Sequence, residues 1–335
     1  MTRTSPDTSG ASFDRERLIL NIEAACSNVH RYTSHTPLIR APYLDRLIRG
    51  EVHLKAECLQ PTGSFKIRGA LHAMSQLRAS GQQDVVAFSS GNHGIGVAYA
   101  AHCLNMRATI VVPSDIPRAK LAKIRSLGAD VVFYDRERES REAIATALCA
   151  HTEASIVKPY DDWDTIAGQG TCGVEIKEQL SLTPDSLLVC TGGGGFAAGT
   201  GTYLRRYYPE LSIITAEPEG WDDHLQSFQV GKRSAAAATA ASICDGLLAP
   251  EPGEITFVVN QHNRAQGMSA SDDLVRRAMK LIWEQLGVGL EPSGAIGVAS
   301  LLAQPERFSE QIVVITLSGG NVDRDRFDEA LNLAR

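Results

Sequence analysis

The sequence predicts an α/β protein built on open, mainly parallel sheets with crossover helices. Three observations carry that expectation. Residues 84–150 alternate short β-branched runs with helical patterns three times over. A second series of the same kind occupies the C-terminal half. Several strand ends in both series run into loops of Gly, Ser and Asn, where open α/β sheets hold their ligands.

Taken in order, residues 13–29 place Leu18, Leu20, Ile22 and Ala25 at helical spacing. His35 to Ile39 reads as a loop entering a short strand, and Val52 to Ala56 alternates as a strand. A Pro61-Thr62-Gly63-Ser64 turn leads into a helix from Lys66 to about Ala79, broken by Gly81. Val85–Phe88, Ala108–Pro113 and Asp130–Tyr134 read as buried strands. Helices are expected over Ile95–Leu104, over Arg118–Leu127 with Gly128 as its cap, and over Arg138–Ala150. A brief strand, Ile156–Lys158, precedes a helix from Ile166 to about Leu180. Ser186–Cys190, Ser212–Ala216 and Ile312–Leu317 complete the strands. Further helices are expected up to Tyr207, over Ala235–Ala241 and over Asp272–Leu286.

The chain has 335 residues, enough to bury a large core, and 43% hydrophobic with 21% charged residues is an ordinary globular balance. The net charge of −6 and the absence of a basic tract argue against a nucleic-acid partner. No apolar run approaches the ~20 residues that span a bilayer. The first dozen residues are polar, lack a signal-peptide pattern and read as a disordered tail. Seven scattered cysteines without a CxxC pair suit reduced thiols in the cytoplasm.

Lys66 is the first chemical signal. A lysine at a helix start, flanked by apolar Phe65 and Ile67 with the cation Arg68 close by, is placed to have a lowered pKa and act as a nucleophile. Four consecutive glycines, Gly192 to Gly195, lie between a strand and a helix. A tight turn needs one or two; four let backbone amides and the helix N-terminus close on an anion, so a phosphate site is expected. No Gly-Lys-Ser/Thr follows, which excludes a Walker loop. A nicotinamide-dependent oxidoreductase stays open as a different chemistry for this loop. Ser89-Ser90-Gly91-Asn92-His93-Gly94 and Ser318-Gly319-Gly320-Asn321 are two further polar loops at strand ends.

These motifs occur in order with Ala-Gly-Gln-Gly-Thr (167–171) and Glu-Pro-Ser-Gly-Ala (291–295). Together they resemble the fold-type II pyridoxal-phosphate enzymes, in particular the serine/threonine dehydratase and serine racemase group. The resemblance covers about residue 15 to the C-terminus. It implies two interleaved open twisted sheets with flanking helices, of the tryptophan synthase β-like type. A small domain, 84–160, would be inserted in a large one made of 1–83 and 161–335. It implies pyridoxal 5'-phosphate as cofactor, with Lys66 as the Schiff-base lysine and Gly192, Gly193, Gly194 and Gly195 on its phosphate. Phe65 would lie against the cofactor, Asn92 at its ring hydroxyl and Ser318 at its ring nitrogen.

The same resemblance places Ser64, Ser89, Ser90, Asn92 and His93 around the substrate carboxylate. Ser90 departs from the plain threonine dehydratase pattern toward serine racemases, where a second Ser serves the face opposite the lysine. Glu217, Trp221 and Asp223 resemble a divalent cation site, Trp221 through its carbonyl, and oxygen ligands suit Mg²⁺ or Ca²⁺. Arg141 is similar to an arginine that could hold a second carboxylate. The implied activity is dehydration of a β-hydroxy amino acid such as L-threonine or L-serine to a 2-oxo acid and ammonia. Serine racemisation, or dehydration of 3-hydroxyaspartate or phenylserine, are the alternatives, and a homodimer is the family habit.

Overall fold

The computed structural model describes residues 13–89, 91–236 and 241–334. Ten strands form two sheets, connected by thirteen helices of α type among the described residues. The N-terminal part runs α1 (Arg15–Val29), β1 (Leu38–Arg40), α2 (Pro42–Ile48), β2 (Glu51–Lys55) and α3 (Lys66–Ala79). Next come β3 (Asp84–Phe88), α4 (Asn92–Leu104), β4 (Arg107–Pro113), α5 (Arg118–Ser126), β5 (Asp130–Tyr134), α6 (Arg141–Thr152) and β6 (Ser155–Ile156). The C-terminal half continues with α7 (Trp163–Gln179), β7 (Ser186–Cys190), α8 (Gly195–Tyr207), β8 (Ser212–Pro218), α9 (Asp223–Val230), α10 (Glu254–His262) and β9 (Gln266–Ala270). It closes with α11 (Asp272–Leu286), α12 (Pro292–Ala303), β10 (Ile312–Thr316) and α13 (Arg324–Leu333).

The four-stranded sheet has the order β5-β4-β3-β6, all parallel, and comes from one continuous stretch. The six-stranded sheet has the order β1-β2-β10-β7-β8-β9, drawn from both sides of that stretch. Only β1 pairs antiparallel. β7 is buried along its whole length, as expected for a parallel strand covered on both faces. Separate apolar cores serve the sheets, one around Leu54, Leu188 and Ile315, the other around Ile67, Val85 and Ile110.

Capping explains where several helices depart from expectation. The expected helix from Arg138 begins at Arg141, because the Ser140 side chain accepts a hydrogen bond from the Ala143 amide. The helix expected from Ile166 begins three residues earlier, at Trp163, because Asp162 caps the Thr165 amide at 2.8 Å. Gly128 takes a left-handed φ of 82° just beyond α5, the stop its sequence position implied. Ala235, Ala236 and Ala241 are not helical, contrary to expectation, and 237–240 lie outside the described residues. The expected N-terminal tail, 1–12, lies outside them too. No described helix is long and apolar enough to cross a membrane.

Candidate active site

Lys66 opens α3, and the turn before it is stitched to the loop after β10. Phe65 N donates to Ser318 O at 3.1 Å, Gly320 N donates to Gly63 O at 2.9 Å, and Ser64 bridges Gly319. Two motifs some 250 residues apart thus become one structure. The Lys66 amine donates to the carbonyl of Pro159 at 2.9 Å. It faces a cavity of about 710 Å³ that is also lined by Ser89, Asn92, His93, Arg141, Gly192 to Gly195 and Ser318. Burial lowers the Lys66 pKa to about 8, partly opposed by Cys190 beside it. The cation expected to help, Arg68, does not do so. It is fully buried on the other side of the helix start, held by Glu57 at 2.7 Å and Glu175 at 2.7 Å. Desolvation alone accounts for the amine's direction.

The glycine loop joins β7 to α8. Gly194 has φ +93° and serves as the N-cap, leaving the first-turn amides of α8 without intrahelical acceptors. Gly193 permits a close approach of the Tyr160 ring, which a Cβ would strike. The loop's carbonyls are taken from below: Thr256 Oγ1 donates to Gly193 O at 2.5 Å, and Asn260 Nδ2 donates to Gly194 O at 3.1 Å. The first-turn amides of α8 are the groups of this loop suited to an anion.

Phe65 stacks on Phe196 with centroids 4.0 Å apart, and together they make an apolar wall. His93 is buried and hydrogen-bonds Val157 O through Nε2 at 2.8 Å. Burial, reinforced by the Lys66 charge, pushes it down to about 3, so the ring is neutral. Ser89 Oγ accepts from Gly91 N at 3.1 Å. Ser64 is fully buried and its hydroxyl has no partner, a polar group in want of a ligand. Ser318 Oγ reaches Ser293 O only at 3.4 Å. Asn92 donates to Glu291 and accepts from Asn321 Nδ2 at 2.7 Å. Glu291 lines the cavity as well, and burial pushes it up to about 7. The motif 291–295 was visible in the sequence, but nothing in it assigned Glu291 this contact.

Arg141 is the first residue of α6. Its guanidinium stacks on Phe88 at 5.5 Å and pairs with Glu142 at 2.8 Å, at the cavity edge. Ser90 lies outside the described residues.

A buried primary amine, an amide cradle for one anion and a neutral hydroxyl now share one cavity, and the family model described as pyridoxal-phosphate dependent enzyme matches residues 29–319. The chain belongs to that family.

An L-threo-3-hydroxyaspartate ammonia-lyase of Pseudomonas sp is 38% identical over 92% of this chain and 96% of its own length. Among solved structures, maize serine racemase has a TM-score of 0.87 at 32% identity, covering 94% of this chain and 96% of that one. The processed form of threonine deaminase isoform 2 from Solanum lycopersicum has a TM-score of 0.88 at 30% identity, covering 96% and 95%. The pyridoxal-phosphate dependent family decides between the two chemistries the glycine loop allowed, against nicotinamide. The residues present fit the cofactor: Lys66 supplies an amine kept partly neutral, the loop supplies the first-turn amides of α8, and Ser318 adds a hydroxyl to the same lining.

The three residues of the expected cation site lie elsewhere, on the turn from β8 to α9. Glu217 and Asp223 are both fully buried, and no hydrogen-bond partner meets either Asp223 oxygen. Burial raises both pKa values; the Asp223 charge adds to the rise at Glu217 and the Asp222 charge to that at Asp223, where the Glu217 side chain pulls the other way. Such a pair either shares a proton or holds a cation. Trp221 N donates to Pro218 O at 3.0 Å, which puts Trp221 in the same turn. Among the described residues, no three His, Cys, Asp or Glu side chains converge as a metal centre.

Proposed function

We propose that this protein is an ammonia-lyase for β-hydroxy amino acids, with 3-hydroxyaspartate as its favoured substrate. The observation that carries the choice is Arg141, a guanidinium at the edge of the cavity that contains Lys66. Serine and threonine have no group for it, whereas the side-chain carboxylate of 3-hydroxyaspartate can take a charge-assisted pair. The similarity to 3-hydroxyaspartate ammonia-lyases supports the same choice.

Lys66 would hold pyridoxal phosphate, with Gly192 to Gly195 on its phosphate, Phe65 against its ring, Asn92 at its hydroxyl and Ser318 at its ring nitrogen. Bound there, the cofactor supplies the electron sink for charge left at Cα. Ser64, Ser89, Ser90, Asn92 and His93 would receive the α-carboxylate. Lys66, partly neutral near pH 8, would take the α-proton. The β-hydroxyl leaves with a proton as water, and a water is consumed when the product enamine hydrolyses. The sum is hydroxyaspartate to a 2-oxo diacid and ammonia. Ser318 as a neutral hydroxyl keeps the sink moderate, which suits elimination. Serine racemisation with Ser90 as the second proton carrier is the rival within the family.

Glu217 and Asp223, with the Trp221 carbonyl, would hold Mg²⁺ or Ca²⁺. The orphaned Asp223 oxygens support that reading. The reading includes a cytoplasmic homodimer and a small domain of 84–160, and the free cysteines suit such a compartment.

The test is an assay of L- and D-serine, threonine, phenylserine and 3-hydroxyaspartate with three variants. Lys66→Ala should lose the visible absorption band and all turnover. Arg141→Gln should lower kcat/KM for 3-hydroxyaspartate by about a hundredfold and leave serine nearly unchanged. Ser90→Ala should remove any racemisation while costing elimination of the L-substrate far less. Equal losses on serine and hydroxyaspartate in Arg141→Gln would remove the assignment of the diacid.

A further inference from the structure

His224 follows the cation turn and lies under the phosphate loop. Glu217 receives the backbone amides of His224 and Leu225, both at 2.9 Å, and so fixes the first turn of α9. Asp223, the preceding residue, presents its unpartnered carboxylate to the Glu217 side. The imidazole of His224 is completely buried, with Phe228 tilted beside it at 5.6 Å. A Cβ on Gly194 would lie 2.6 Å from its Cε1 and 2.8 Å from its Nε2. The ring is therefore in contact with the loop expected to hold the cofactor phosphate.

Neither ring nitrogen has a hydrogen-bond partner. The ring also interacts with the backbone of Gly192, the first glycine of the loop. An imidazole carries at least one N–H, and burying it without a well-placed acceptor is unfavourable. The Oδ1 of Asn260, whose amide donates to Gly194 O, is also unpaired. Unmet polar atoms thus concentrate beneath Gly192 to Gly194. A residue that only filled space there would be better apolar.

We propose that His224 is a positioning residue that couples the cation turn to the phosphate loop. A divalent cation on Glu217 and Asp223 sets the first turn of α9, and the ring carried by that turn sets Gly192 to Gly194 for the phosphate. The inference rests on the cation reading given above. It names the route by which an ion at one site changes cofactor affinity at another, and coupling of this kind is reciprocal.

The experiment follows cofactor loss from the purified holoenzyme by its visible absorption after dilution, with and without a chelator. Mn²⁺ binding is measured separately by electron paramagnetic resonance. In the natural protein, chelation should speed cofactor loss about tenfold, the size of one buried hydrogen bond. His224→Leu should lose cofactor at the faster rate whether chelator is present or not. His224→Gln, which keeps a donor and an acceptor, should regain most of the response, and circular dichroism verifies that both variants are folded. Binding of Mn²⁺ with a chelator response unchanged in His224→Leu would overturn the coupling. So would bound Mn²⁺ with no chelator response in the natural protein. Absence of any Mn²⁺ binding would instead remove the cation site, and the coupling with it.

Discussion

The protein buries two clusters of ionisable groups that follow opposite rules. Under α3, Lys55, Glu57, Arg68 and Glu175 are all fully buried, two of each sign. Every charge there is met: Arg68 grips both Glu57 oxygens at 2.7 and 2.8 Å, and Lys55 reaches Glu175 at 2.6 Å and Thr36 O at 2.7 Å. At the turn before α9, Glu217 and Asp223 are as deeply buried, but among the described residues no Lys or Arg pairs with them, and the Asp223 oxygens and the His224 ring nitrogens have no hydrogen-bond partner. A closed cluster of balanced charge anchors elements to one another. Here it ties α3, and with it Lys66, to β2 and α7. An open cluster is unfinished without something that is not protein. The difference separates architecture from a binding site more reliably than burial does.

The largest effect should come from breaking the closed cluster. Arg68→Met removes the guanidinium that bridges Glu57 and Glu175, leaving Glu57 without its ion pair in the core. Loss of one partner from a buried ion pair costs about 3–5 kcal/mol. Urea unfolding should show that loss, and α3 should release the cofactor more readily as it loosens. A loss under about 1 kcal/mol would mean that the cluster is not what clamps α3.

How much of this was legible in the sequence depends on how local the signal was. Lys66, Gly192 to Gly195 and Ser318 stand in short motifs whose residue types carry their own meaning, and the structure brings them to one cavity. Arg68 was visible too, but its direction was not. Sequence proximity suggested that it would press on Lys66, whereas Glu175, 107 residues away, turns it inward. His224 and Glu291 had no readable role, because their neighbours come from distant segments. Among the elements, α12 was missed because it is small and buried on almost every face, so it lacks the amphipathic period that marks a helix. The seven-residue α2 was too short for that period to show.

The closed cluster also sets a response to acid. Burial alone would raise Glu57, but the Arg68 charge and hydrogen bond, with Lys55, hold it below 4.5. Glu175 is lowered too: burial is outweighed by its bond to His30 and by Arg68 and Lys55. A depressed carboxylate contributes stability that is present above the unfolded value of about 4.5 and is lost as pH falls below it. Thermal unfolding should therefore show a decline in Tm below about pH 4.5 that is weaker in Arg68→Met, which has already forfeited the pairing. An identical acid decline in both proteins would assign it to other carboxylates.

The smallest effect on stability, and the one with the opposite sign, belongs to the open cluster. Asp223→Asn removes a buried carboxylate that nothing in the protein pairs. With a chelator present, the variant should be as stable as the natural protein or more stable by about 1–2 kcal/mol, because an unmet group of this kind costs that much. On adding Mg²⁺ the order should reverse. The natural protein gains stability in proportion to how far the ion exceeds its dissociation constant, and the variant does not. Calorimetric Tm values with and without Mg²⁺ measure both halves. A loss of several kcal/mol in the chelated variant would show that Asp223 is already satisfied by a proton shared with Glu217. The two clusters would then be built alike, and the contrast between anchor and binding site would fail at that residue.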